Sequence, residues 1–205
     1  VRPHSSFLSS PRTSASPLVL ASRSPQRRAI LSQFGVEFEA LHTDVEELTD
    51  GDPGEVAAEN ARRKAHFAAR RVGPERLVVG CDTLVALDGR IYGKPPDETG
   101  ARATLTALSG RTHEVLSGLC VLERGRERVA LTRTRVCLRS LDRSFLDWYV
   151  ATGEWRERAG GYAVQGRGAA LVTGIEGDYL GVVGLPVAAL LDLVPELLLA
   201  HSPGR

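Results

Sequence analysis

Residues 77–95 read LVVGCDTLVALDGRIYGKP. Leu77-Val78-Val79 is an apolar run of the kind buried inside a sheet. Gly80 closes it, Asp82 and Thr83 follow, and a second apolar run over 84–87 leads into Asp88-Gly89. Asp-Gly between apolar runs predicts a tight hairpin turn. The chain returns through Ile91 and Tyr92 to Gly93-Lys94-Pro95. The pattern therefore predicts that Asp82 and Lys94 lie near one another at the mouth of a hairpin. An anion that can hold a metal or take a proton from water, beside a cation that can hold a phosphate, suits phosphate chemistry. A plain surface pair on two strand ends fits the same pattern.

On the N-terminal side, 17–22 (PLVLAS) predicts a first strand, and Ser24-Pro25 is an N-cap followed by proline at the first helical position. The helix runs to about Gln33, with Gly35 as its stop. A strand that ends in serine and feeds a helix start carrying arginine offers free amides and a positive dipole end to an anion. An ordinary strand-to-helix joint reads the same way. A short strand over 36–41 precedes an acidic loop, Asp44 to Asp52. Asp52-Pro53-Gly54-Glu55 then starts a helix that runs to about Arg71. Ala57, Ala58, Ala61, Ala65 and Ala68 give that helix a small-residue face, and Lys64 sits in its middle.

On the C-terminal side, Asp97 starts a helix ending near Ser109-Gly110. Residues 113–122 and 128–138 alternate as two strands, the second studded with arginine on a wet face. A helix is expected over 142–151, with Trp148 and Tyr149 as core anchors. A loop too rich in glycine for regular structure, 159–166 (AGGYAVQG), follows. The pattern ends with a strand over 169–175, a loop over 178–183 and a helix from Gly184-Leu185-Pro186 through Leu193.

Composition narrows the function classes. The 205-residue chain carries 26 basic and 25 acidic residues, a net charge of +1, which argues against a large non-specific nucleic-acid footprint. Cys81, Cys120 and Cys137 are odd in number, lie in apolar runs and form no C-x-x-C pair. They read as reduced core residues of a cytosolic, hence cytoplasmic, protein. No apolar run approaches the ~18 residues a membrane helix needs. Residues 1–16 read as a disordered leader, 17–200 as one domain of two lobes, and 201–205 as a frayed tail. His42, His66 and His113 lack metal-ligand spacing, and there is no Walker lysine, G-x-S-x-G or dinucleotide fingerprint. Only Lys64 and Lys94 are lysines; every other cation is arginine. A compact ammonium and a planar guanidinium are different tools, so these two positions are candidates for sites where arginine would not serve.

Eight segments, in order and in register over 18–195, resemble the Maf family of nucleotide pyrophosphatases: LASRSPQRRAIL (20–31), DVEE (44–47), NARRKA (60–65), VVGCDT (78–83), YGKP (92–95), LSGRTHEV (108–115), AGGYAVQG (159–166) and GDYLGVVGLP (177–186). The resemblance implies an α/β fold: a long mixed, twisted sheet spanning two lobes with flanking helices, similar to the inosine-triphosphate pyrophosphatases, and an active cleft between the lobes. It implies hydrolysis of a nucleoside triphosphate to monophosphate and pyrophosphate, a house-cleaning reaction of the nucleotide pool. A divalent cation (Mg²⁺ or Mn²⁺) assists, and a homodimer is usual.

By position, Asp82 matches the family's proton acceptor and Glu47 its acidic metal-site residue, with Asp82 open to serving as base, metal ligand or both. Lys64 and Lys94 match its phosphate-binding lysines and Arg27 its arginine at the first helix N-terminus. Ser22 and Ser24 fall in the same phosphate loop. Thr83 and Gln165 match positions tied to base choice and resemble the branch acting on dTTP and UTP. Gln26 departs, because that branch usually reads S-P-R-R, so a broader substrate range is an open alternative. Two other classes remain for comparison. One is a non-catalytic nucleotide sensor that restrains septum formation. The other is a nucleic-acid binder resting on the arginine strand.

Overall fold

The computed structural model describes residues 17–198. The expected leader and frayed tail lie outside the described residues. Among these, seven strands form one mixed sheet: β1 (Leu18–Ala21), β2 (Phe38–Ala40), β3 (Val78–Leu87), β4 (Arg90–Tyr92), β5 (Thr112–Glu123), β6 (Arg126–Leu138) and β7 (Val172–Glu176). Their order is β2-β1-β3-β5-β6-β7, with β4 folded back on β3. β1 runs parallel to β2 and β3, and the remaining pairs are antiparallel.

One edge of β3 positions the site. β5 pairs with β3 without a break from Val78 to Ala86. On the opposite edge β1 pairs only with 78–80 and β4 only with 85–87. Residues 81–84 therefore have no strand beside them there among the described residues, and the sheet is split at Asp82 and Thr83. Strand side chains alternate between faces, so the two residues look out of this split toward opposite sides of the sheet.

The helices fill the two faces unequally. Val79 and Cys81 pack with Ile30 and Leu31 of α1 (Pro25–Gln33) and Leu190 of α6 (Val187–Leu193). Farther along the same face, Val85 and Leu87 pack with Leu105 and Leu108 of α3 (Glu98–Leu108) and with Tyr149 and Val150 of α4 (Arg143–Ala151). The other face belongs to α2 (Pro53–Val72). Its Ala57, Ala61, Ala65 and Ala68 are completely buried and bring the helix onto the sheet backbone. A methyl group on Gly80 would lie 2.3 Å from the Ala61 carbonyl oxygen, and one on Gly118 would lie 2.2 Å from that of Ala57. Only glycine permits this approach, and it sets how far side chains from α2 reach across β3.

Local signals in the sequence act as expected at many ends. Ser24 accepts from the Arg27 amide at the start of α1, and Asp52, Asp97 and Asp142 cap α2, α3 and α4 in the same way. Asp88 and Gly89 both take positive φ in the β3–β4 turn. Exposed arginines of β6 are matched across strands, Arg133 with Glu114 and Arg135 with Glu176.

Three expectations are corrected. Trp148 is 45% exposed, and only Tyr149 of that pair is a core anchor. Trp148 packs edge-on against Phe145, one turn back on the same helix. Residues 166–171 form a 3-10 turn, so β7 begins at Val172. Residues 179–183 form a short helix, α5 (Tyr179–Val183), rather than a loop. Valines and a glycine favour helix weakly, but contacts from the sheet hold the segment. Ser117 Oγ donates to the Gly181 carbonyl at 2.8 Å, and the Asp178 amide donates to Thr134 Oγ1 at 3.0 Å. No helix among the described residues is long and apolar enough to cross a membrane.

Candidate active site

Asp82 lies on the α2 side of the split, opposite Gly118 of β5. Asn60 and Lys64 are one turn apart on α2, so both side chains project from the same stripe of the helix. They meet the carboxylate together: Lys64 Nζ donates to Asp82 Oδ1 at 2.6 Å, and Asn60 Nδ2 donates to Oδ2 at 3.1 Å. Asn60 also exchanges two hydrogen bonds with the backbone of Leu48, 2.8 Å and 3.0 Å, which fixes the acidic loop against the helix. That loop delivers Glu47 Oε1 to within 2.7 Å of Lys64 Nζ. One ammonium thus stands between two carboxylates, one buried and one half-exposed.

Burial pushes the Asp82 carboxyl up. The charge and hydrogen bond of Lys64, the charge of Arg27 and the hydrogen bond from Asn60 outweigh it and hold the group below the usual carboxylate range. Asp82 is an ionised acceptor in the neutral range although almost no water reaches it.

On the other side of the split, Arg27 ties three elements together. Its Nε donates to the Gly184 carbonyl at 2.8 Å, Nη1 to Ser22 Oγ at 3.0 Å and Nη2 to Thr83 Oγ1 at 3.3 Å. Ser22 Oγ also accepts from the Ser24 amide, and Ser24 Oγ donates to Gln26 Oε1. The end of β1 and the first turn of α1 are therefore held as one polar unit beside Thr83. Thr83 Oγ1 in turn lies 3.2 Å from Ser117 Oγ.

All ten residues singled out from the sequence line one cleft of about 1300 Å³. Their partners differ from the expected ones. The ammonium on Asp82 belongs to Lys64, not Lys94. Lys94 stands on the rim, its side chain 58% exposed, paired with Glu157 at 2.9 Å. Its hydrogen bond and charge hold the Glu157 carboxyl below the usual range, and the charge of Arg23 adds to this. Gln165 is exposed at the cleft wall, on the loop that follows Tyr162. That loop is anchored by Tyr149 Oη, which accepts from the Ala163 amide at 3.0 Å. Tyr162 Oη sits 2.8 Å from His113 Nε2, and Gly160 N donates to the Gly93 carbonyl at 3.1 Å beside Lys94.

Several contributors went unnoticed in the sequence. Asn60 carries a visible signal, its position four before Lys64, once the helix is known to cross Asp82. Ser117 becomes relevant only through its strand pairing opposite Thr83. Arg23, exposed in the β1–α1 loop and lining the cleft, reads locally as any solvated arginine.

As to a metal, the described residues contain no group of three or more His, Cys, Asp or Glu placed to hold one. Two carboxylates, Glu47 and Asp82, nonetheless stand close together, both bonded to Lys64 Nζ through one oxygen each. Mg²⁺ is commonly held by one or two carboxylates plus water and substrate phosphates, and this donor set fits that mode.

Comparison with known proteins gives a consistent result. The family model described as Maf-like protein matches residues 17–197. A dTTP/UTP pyrophosphatase of Pyrococcus furiosus is 41% identical over 178 residues, covering 86% of this chain and 93% of that protein. Proteins of the same name from Thermococcus kodakarensis and an Anaeromyxobacter species are 44% and 46% identical, each covering 86% of this chain and 94% and 87% of their own. Among solved structures, the Staphylococcus aureus Ham1 protein overlaps 60% of this chain and 72% of its own, with 18% identity and a TM-score of 0.46. A match that runs from the first described strand to the last helix, with relatives above 40% identity along the same length, places this chain in the Maf-like protein family.

Proposed function

We propose that the chain is a nucleoside triphosphate pyrophosphatase, hydrolysing dTTP and UTP to the monophosphate and pyrophosphate. The observation that carries this reading is Asp82. It is a carboxylate kept ionised inside the protein, at the split between β1 and β4 along β3, facing a cleft lined by Lys64, Lys94, Arg23 and Arg27. Relatives bearing the dTTP/UTP pyrophosphatase name support the substrate class.

The reaction needs a water in line with the phosphorus and stabilisation of the charge that builds on departing pyrophosphate. Most of that is positioning and electrostatics. Lys64, locked between Glu47 and Asp82, presents a fixed positive charge. Lys94 and Arg23, exposed at the mouth, gather the outer phosphates as the triphosphate displaces Glu157 from Lys94. Asp82 has its Lys64 and Asn60 bonds and still has lone pairs free, with which it orients the attacking water. A carboxylate held below the usual range is a weak base, so its share is to guide the proton as the bond forms rather than to remove it beforehand. A divalent cation would be held by the lone pairs of Glu47 and Asp82 that Lys64 leaves free, and would supply charge neutralisation on phosphate oxygens and a more acidic water. Thr83 and Gln165 contact the base. Gln26 stands where the pyrimidine branch carries arginine, so some turnover of other triphosphates accompanies dTTP and UTP.

The test is a panel of dTTP, UTP, CTP, ATP and GTP, assayed for pyrophosphate release with Mg²⁺. Release fastest from dTTP and UTP is expected. Tight binding with no release would favour a nucleotide sensor instead.

A further inference from the structure

Among the described residues the Gln165 side chain makes no hydrogen bond, while the backbone on either side of it is held, and Glu154 holds the C-terminal side. The Glu154 carboxylate accepts two backbone hydrogen bonds, from the Arg167 amide to Oε1 at 3.1 Å and from the Gly168 amide to Oε2 at 3.0 Å. Charge-assisted bonds of this paired kind fix geometry as well as adding energy. Between these amides and Gln165 lies Gly166, with φ at +66° and its α-carbon against the same carboxylate. A methyl group there would sit 3.1 Å from Glu154 Oε1. On the N-terminal side the Ala163 amide is tied to Tyr149 Oη. Gln165 is thus the apex of a short arch with a buried tyrosine under one foot and a carboxylate under the other.

We propose that Glu154 is a positioning residue for base selection. It sets the turn at Gly166, and the turn sets the direction in which the Gln165 amide meets the nucleobase. This rests on the reading of Gln165 as a base contact. Glu154 belongs to the loop after α4 and contacts neither Asp82 nor Lys64 among the described interactions. Its removal therefore acts on which triphosphate is accepted. An amide has one fixed planar geometry, and a tilt of a few tens of degrees exchanges or loses its paired donor and acceptor. Sites that read a hydrogen-bonding edge lose discrimination when the reader is displaced.

The experiment measures kcat and KM for UTP and ATP in the parent, Glu154→Ala, Glu154→Gln, Gln165→Ala and the Glu154→Ala/Gln165→Ala double variant. Glu154→Gln keeps the size while replacing one acceptor oxygen with a donor, and it stands in where the alanine variant folds poorly. The expected result is a drop of at least tenfold in the UTP-over-ATP ratio of kcat/KM in each single variant, carried mainly by KM for UTP. The double variant is expected to lose no more than Gln165→Ala alone, because both changes act through one side chain. An equal loss for both nucleotides in the Glu154 variants makes Glu154 a structural residue and overturns the proposal. A shifted ratio in Gln165→Ala but not in the Glu154 variants also overturns it, while leaving the base contact standing. An unshifted ratio in Gln165→Ala itself overturns the base contact, and the proposal with it.

Discussion

Lys64 Nζ lies 2.6 Å from Asp82 Oδ1, and both groups are buried. A pair this enclosed constrains the chemistry. Attraction offsets the desolvation of the two charges only while both partners are present, and removing one leaves the other uncompensated. Because the Asp82 carboxyl is held below its ordinary value, its contribution to stability is fully present above about pH 4, the unfolded value. It is lost as pH falls through the lower folded value. The Asp82 carboxylate is therefore charged throughout the neutral range.

The two lysines should respond differently to arginine. Lys64 is enclosed between Glu47 and Asp82, where a planar fork cannot replace a point charge without moving one of them. Lys94 is on the rim with space around it. Lys64→Arg is expected to lower kcat/KM for UTP about 100-fold or more, roughly 2.7 kcal/mol of barrier, and Lys94→Arg less than about tenfold. Similar losses from the two would show that burial does not set them apart.

Gly118 carries α2. A methyl group there meets the Ala57 carbonyl, a backbone atom that cannot rotate away. Gly118→Ala should therefore lift the helix off the sheet, costing about 2–3 kcal/mol or more and separating Lys64 from Asp82. Urea denaturation and the UTP assay on the same variant check this. Loss of stability with full activity would show that the helix position does not set the site.

His113 is held neutral, burial having pulled its pKa down from 6.5 to about 4. A group depressed on folding stabilises the native state above the unfolded value and loses that contribution as pH falls toward the folded one. Stability should thus decline between about pH 6.5 and pH 4 by up to about 3 kcal/mol. In His113→Gln that part of the decline should disappear, since glutamine does not titrate. Melting temperatures taken across this range decide it, and an identical acid slope in both proteins would contradict the assignment.

Gln165→Glu replaces the amide donor with a second acceptor and adds negative charge at the proposed base contact. UTP turnover is expected to fall while the ranking of triphosphates changes, read from the same nucleotide panel. An unaltered ranking would remove Gln165 from base selection.

Much of the fold was legible where local chemistry decides it. Capping at Ser24, Asp52, Asp97 and Asp142, the Asp88-Gly89 turn and the alanine face of α2 each follow from interactions within a few residues. The partner of Asp82 was not legible in the same way. Sequence proximity through the hairpin pointed to Lys94, whereas the crossover from β2 through α2 to β3 brings Lys64 there from eighteen residues upstream. The candidate site residues were singled out because eight separated segments resemble one family in register, and the fold brings all of them to one cleft. Trp148 shows the opposite failure: a large apolar side chain on a helix looks like core from composition, and only the packing of α4 places it outside.

Asp82→Asn keeps the shape of the side chain, leaves Lys64 its contact with Glu47, and removes the charge on which the proposed reaction depends. Initial rates of pyrophosphate release from UTP with Mg²⁺, measured on folded variant and parent side by side, are expected to fall at least 100-fold. A variant that still turns over within about tenfold of the parent, a difference of roughly 1.4 kcal/mol, would contradict the role given to Asp82 and the function built on it.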